Sequence, residues 1–252
     1  MQKERWYYMT EELQVKSKER VKDFGEVFTN PREVKAMLDL VKDESYRVDS
    51  RFLEPACGNG NFLIEILARK LQTVNKTANS RQEWELLTLV GLGSIYAIDI
   101  QEDNVDESRE RLLAHIEEVY EAQFGETYSS DYLFALNEIL VKNIIHGDGL
   151  TGLQHGMEVG KEILFSEWSF DNLLETGEVI RKDFSMNKMI AHNKKAEAAE
   201  KITSQAGSLF AMVPQKVEEE ELNPTHVETY ARFLWALRFL LLNSYIDVRD
   251  ES

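Results

Sequence analysis

Apolar residues recur at helical spacing over residues 61–74, where Phe62, Leu63, Ile66, Leu67 and Leu71 mark one face of a helix. A short strand, residues 51–54, precedes that helix across a glycine-containing turn, and residues 94–100 (SIYAIDI in the interior) read as a second, buried strand. The same alternation continues downstream. Residues 82–90 predict a helix ended by a glycine break at Gly91 and Gly93, and residues 75–80 a polar linker before it. Residues 102–120 predict a charged amphipathic helix and residues 128–140 another. Residues 143–146 predict a third strand running into Gly147, Asp148 and Gly149, and residues 162–168 a fourth. Upstream, residues 10–21 predict a helix; Asn30 is placed to cap a further one with Pro31 at its first position and Val34, Met37, Leu38 and Val41 on one face. Strands separated by helices call for an α/β fold: a mostly parallel sheet, helices on both faces, and right-handed crossovers.

The last quarter breaks this rhythm. Residues 185–210 are helical in composition, and residues 224–245 form a helix rich in large apolar groups, expected to close the core. The expected division is an N-terminal helical segment (1–50), a nucleotide-cofactor domain (51–184) and a helical extension packed on it (185–252).

Composition narrows the function. With 43% hydrophobic residues in 252, the chain can bury a substantial core, and no apolar run is long enough to span a membrane. A cytoplasmic location is expected. One cysteine, Cys57, excludes an internal disulfide framework and a cysteine-built zinc site within one chain; the histidines lack ligand spacing, so no metal is expected. The formal charge of −16 makes the chain a poor solitary binder of nucleic acid, since such binding is driven by cations that release counterions. Local basic clusters do occur, at Lys16, Lys18, Arg20 and Lys22 and at Lys188, Lys194 and Lys195.

The chemistry concentrates at FLEPACGNGNFL, residues 52–63. Ligands of parallel sheets bind beyond the carboxyl ends of the strands, where this turn sits. Gly58 and Gly60 remove side chains that would keep a ligand from the backbone, and the helix beginning at Asn61 offers free amides. Asp99, closing the next strand, is placed to accept from a ribose diol, and Asp148, closing the third, from an adenine amino group. A nicotinamide dinucleotide would want a third glycine where Leu63 stands. Glu54 and Pro55 open the pocket with negative charge, which suits an amine or a sulfonium and so S-adenosylmethionine.

The stretch LEPACGNGNFL resembles the (D/E)PACGSGNFL signature of amino-methylating DNA methyltransferases, in particular the adenine-N6 enzymes of restriction-modification systems. Residues 24–31, FGEVFTNP, are similar to that family's GxxFTP element, and IDI (98–100) and HGDGL (146–150) fall where the family has its ribose and adenine acids. The resemblance spans residues 24–150. It implies a Rossmann-like methyltransferase fold binding S-adenosylmethionine, with the element that begins at Phe24 lining the methionine end. Phe28 and Thr29 would contact the amino-acid end, Glu54 its ammonium, and Ala56, Gly58, Gly60 and Asn61 would cradle it. Asp99 would hold the ribose, Ile100 would pack on the adenine, and Asp148 would take its amino group.

Two departures are small: Asn30 intrudes between Thr29 and Pro31, and Gly60 and Asp99 stand 39 positions apart. A third is larger. The family's (N/D/S)PP(Y/F/W) tetrapeptide at the end of the fourth strand, which holds the flipped base, is missing; Pro31, Pro55, Pro214 and Pro224 are never adjacent. In its place stand Ser166 and Glu167, as candidate acceptors, and Trp168, as a candidate stacking group. The implied function is an S-adenosylmethionine-dependent DNA methyltransferase, reaching DNA through or with another subunit. The alternatives are a cofactor-binding subunit without turnover and a methyltransferase for a substrate other than DNA. Cys57 reads as a small filler of the turn and His146 as a strand-end residue.

Overall fold

A computed structural model describes residues 15–24, 26–170, 179–187 and 211–212. Most of the expected helix over 185–210, the whole of 224–245 and the lysines at 188, 194 and 195 lie outside them.

The described helices are α1 (Lys18–Phe24), α2 (Pro31–Asp39), α3 (Lys42–Tyr46), α4 (Asn61–Thr77), α5 (Arg81–Gly93), α6 (Glu102–Phe124) and α7 (Ser130–Asn143). The strands are β1 (Phe52–Glu54), β2 (Ile95–Asp99), β3 (Ile144–Asp148), β4 (Leu153–Gln154), β5 (Leu164–Ser169), β6 (Ile180–Ser185) and β7 (Ala211–Met212). Local chemistry accounts for many of these bounds. The Asn30 side chain accepts from the Arg32 amide at 2.9 Å and Pro31 opens α2; Ser80 accepts from the Glu83 amide to start α5.

Two expected breaks are shorter than predicted. Helix α4 runs to Thr77, into the expected linker, leaving residues 78–80 as the break, and holds Asn75 where its side chain accepts from Trp84 Nε1 at 2.6 Å. Helix α5 continues past Gly91 and ends at Gly93. A Cβ at Gly91 would meet the Lys70 side chain, and one at Gly93 would meet Trp168 at 3.3 Å. The contact at Gly93 is a tight one, whereas that at Gly91 is ordinary packing, and a glycine inside the helix is what sequence alone reads as termination.

The fold is α/β, with a mixed sheet in the order β4-β3-β2-β1-β7. Strands β1, β2 and β3 are parallel, joined through helices as expected, and β4 and β7 add short antiparallel edges. Alternate residues divide between two faces. Phe52, Ile95, Ala97 and Ile144 pack beneath α4 to α7 in the main core, and Leu53, Tyr96, Ile98 and Ile145 join Ile163, Phe165 and Met186 in a second.

The expectation of helices on both faces is therefore corrected among the described residues: the β5–β6 hairpin covers the second face. The expected fourth strand, β5, pairs antiparallel with β6 and not with the sheet. Its course is fixed by contacts at both ends. Ile163 donates to the Gly152 carbonyl near the end of β3. Ser166 N–H then donates to Asn143 Oδ1 at 2.9 Å, Glu167 pairs with Arg51 at 2.9 Å, and Trp168 lies on Gly93. Asn143, Arg51 and Gly93 all stand just before strands begin. Ser166, Glu167 and Trp168 are thus at the amino ends of the strands, a strand's length, roughly 15 Å, from the glycine turn.

Trp168 is partly buried, packed against the main core beneath the Arg181 guanidinium at 5.8 Å. Trp168→Ala is expected to cost about 2 kcal/mol, below the about 3 to 5 for a fully buried tryptophan. A melting curve would show it, and affinity for a ligand at the glycine turn should stay unchanged.

Candidate functional site

The turn from β1 into α4 is built by close approach. Gly58 and Gly60 have φ of 55° and 87°, the left-handed region where a side chain is strained. A Cβ at Gly60 would sit 2.9 Å from Ser108 Oγ and 3.2 Å from Ser108 Cβ, and one at Gly58 would meet the Phe28 ring at 3.0 Å. Helix α6 and Phe28 thus lie directly on bare backbone. Ser108 Oγ donates to the Gly58 carbonyl at 3.1 Å, Arg111 donates to the Asn59 carbonyl and to Asn61 Oδ1, and the Cys57 amide donates to Ile98 O at 2.9 Å. Cys57 is buried in the turn, and burial with the nearby Asp99 charge pushes its thiol up. A buried thiol held protonated is what a small filler of the turn requires.

Asp99 closes β2 against this turn. One of its oxygens accepts from the Gly58 amide at 2.8 Å; the other accepts from the Gln101 amide at 2.9 Å and from Asn104 Nδ2 at 3.1 Å. A carboxylate has about four acceptor positions, so about one remains for a ligand hydroxyl. Asp99 therefore shapes the turn.

Glu54 ends β1, half-buried, with the Ala56 amide donating to it at 3.4 Å. Desolvation raises its carboxyl from 4.5 to about 7, the Asp99 charge adding to the rise and the Ala56 amide opposing it. Between those values the folded protein holds a proton that the unfolded chain has lost. Stability must then fall as pH rises from about 4.5 to 7, by on the order of 3 kcal/mol from this group. Glu54→Gln should remove that fall, so denaturant melts at pH 5 and pH 8 should differ less in the variant than in the wild type.

The remaining predicted residues gather at the same edge. Asn61 Nδ2 donates to the Thr29 carbonyl at 2.9 Å, which pins the FTN segment to the start of α4. Ile100 is 42% exposed and its carbonyl lies 3.1 Å from His146 Nε2. Asp148 accepts from the Leu150 amide at 2.8 Å, which holds its carboxyl below the usual range. Gly149 abuts the Pro55 carbonyl, so the loop after β3 meets the turn after β1. Phe24 ends α1, and its side chain lies outside what the structure describes.

Ser166, Glu167 and Trp168 are not brought to this edge. Their expected place beside the cofactor turn is corrected, because β5 crosses the sheet's second face toward the amino ends of the strands. The sequence reading also missed Asn104, Ser108 and Arg111, which hold Asp99, Gly58 and Asn59. Their i, i+4, i+7 spacing puts them on one face of α6 beside buried Val105 and Leu112, a polar stripe legible in the sequence once that face is known to meet a turn.

Lys16, Arg20, Glu26, Asp103 and Glu107 form a charged web over the start of α6. Among the described residues no group of histidine, cysteine and acidic side chains could hold a metal ion, and no helix is long and apolar enough to cross a membrane. No protein-family model, curated protein or solved structure matches the chain.

Proposed function

We propose that this chain binds S-adenosylmethionine at the turn between β1 and α4, in a Rossmann-like methyltransferase fold, and serves DNA adenine-N6 methylation. One observation carries the reading: Glu54, the tight turn that Gly58 and Gly60 permit, Asp99 and exposed Ile100 converge at the carboxyl ends of parallel strands, with Phe28 packed on Gly58 and Thr29 held by Asn61. A cofactor bearing an ammonium, a sulfonium, a ribose and an adenine finds a carboxylate, an acidic mouth, an acceptor and an apolar platform there. A pyrophosphate would face Glu54 and Asp99 with like charge. When bound, S-adenosylmethionine supplies an activated methyl group. The chain's own residues would anchor its amino acid and orient its ribose.

A second reading is a cofactor-binding subunit that needs a partner chain for turnover. The position of Ser166, Glu167 and Trp168 at the far end of the sheet favours it, as does the −16 charge for a separate DNA-binding partner. Incubation of the purified chain with tritiated cofactor and unmethylated DNA separates the readings. Label in adenine supports an enzyme complete in itself. Cofactor binding without transfer supports the subunit.

A further inference from the structure

Asn104 is fully buried in the first turn of α6, and both polar atoms of its side-chain amide are hydrogen-bonded. Its two N–H groups go to two carboxylates, Asp99 Oδ1 at 3.1 Å and Glu26 Oε1 at 3.0 Å; its oxygen accepts from Lys16 Nζ at 2.8 Å. Glu26 in turn is gripped by Arg20, which also reaches Asp103 at 2.6 Å. One side chain therefore joins the acid of the glycine turn to both basic residues that hold the α1 segment down. The segment that carries α1 thus reaches Asp99 through Asn104.

We propose that Asn104 is a positioning residue of the glycine-turn site, tying Asp99 through Glu26 to Arg20 so that nucleoside-cofactor affinity depends on how α1 is latched. The proposal rests on the S-adenosylmethionine reading above. An amide is the fitting side chain here. An aspartate at position 104 would have no N–H to give and would face Asp99 and Glu26 with like charge. Among the described residues the Arg20 side chain bonds Glu26 and Asp103 and no atom of the turn, so the direct route from Arg20 to the turn runs through Glu26 and Asn104 or through Asp103 at the start of α6.

The test is a double-mutant cycle read by calorimetric titration with S-adenosylhomocysteine. Arg20→Met should weaken binding about fivefold or more, within the ordinary range of coupling between sites, with a melting temperature close to the wild type. Asn104→Asp should weaken it further, and adding Arg20→Met to Asn104→Asp should do no additional harm. Wild-type affinity in Arg20→Met, or losses that multiply in the double variant, would overturn the latch. Should Asn104→Asp fail to fold, Glu26→Gln beside Arg20→Met decides: unchanged affinity in both overturns the proposal, and a loss in both supports it. A wild-type chain that binds no S-adenosylhomocysteine would sink the cofactor reading and this inference with it, and that result is seen before any substitution is made.

Discussion

Lys70→Met is expected to be among the most destabilising single substitutions in the described fold. Lys70 has no exposed surface, and its ammonium donates to the carbonyls of Arg47 at 3.1 Å, Val48 at 2.8 Å and Ser50 at 2.6 Å, the chain leading into β1. Burial pushes it down to about 7, and those carbonyls replace the water it has lost. Methionine keeps the apolar stem against Gly91 but strands the acceptors, each at about 1 to 3 kcal/mol. A loss of at least about 3 kcal/mol, or roughly 6 to 12 °C in melting temperature, should follow for a chain of this size. A loss below about 1 kcal/mol would show that water or a shifted loop can take over the role.

Gly60→Ala is the second large effect, and it reaches the site as well as the fold. Left-handed backbone costs a non-glycine residue about 1 to 2 kcal/mol. The added Cβ would also stand 2.9 Å from Ser108 Oγ and 3.3 Å from Ser108 Cα, so the strain cannot be relieved by turning one side chain. Either α6 lifts from the turn or the turn shifts. Both change the backbone that would cradle a ligand. A melting curve and a cofactor titration on the same preparation should therefore move together, by about 2 to 3 kcal/mol in stability. Wild-type values in both would mean that the turn is less tightly packed than the geometry requires.

Much of this architecture is legible in the sequence, for identifiable reasons. The buried run of β2 and the periodicity of α4 announce a strand, a turn and a helix, and the helix cap at Asn30 announces where a helix starts. The gathering of Glu54, the glycine turn and Asp99 at the carboxyl edge of the sheet follows, because strand ends and glycine spacing are local signals. What sequence could not give was long-range. Gly91 and Gly93 read as a break until Lys70 and Trp168 are seen to pack on them. β5 is legible as a strand, yet its partner is β6, and that pairing covers a face expected to be helical. The misplacement of Ser166, Glu167 and Trp168 follows from this one topological difference. Asn104 went unread because an asparagine in a charged helix gains meaning only from the three elements that meet it.

The most direct test of the cofactor assignment is calorimetric titration of the wild-type chain at pH 8, where Glu54 is ionised, first with S-adenosylhomocysteine and then with NADH. The account predicts saturable binding of the first, weakened by about 1.5 kcal/mol or more in Glu54→Gln, whose amide cannot match a carboxylate opposite an ammonium, and none of the second. Binding of NADH with no response to S-adenosylhomocysteine would contradict it.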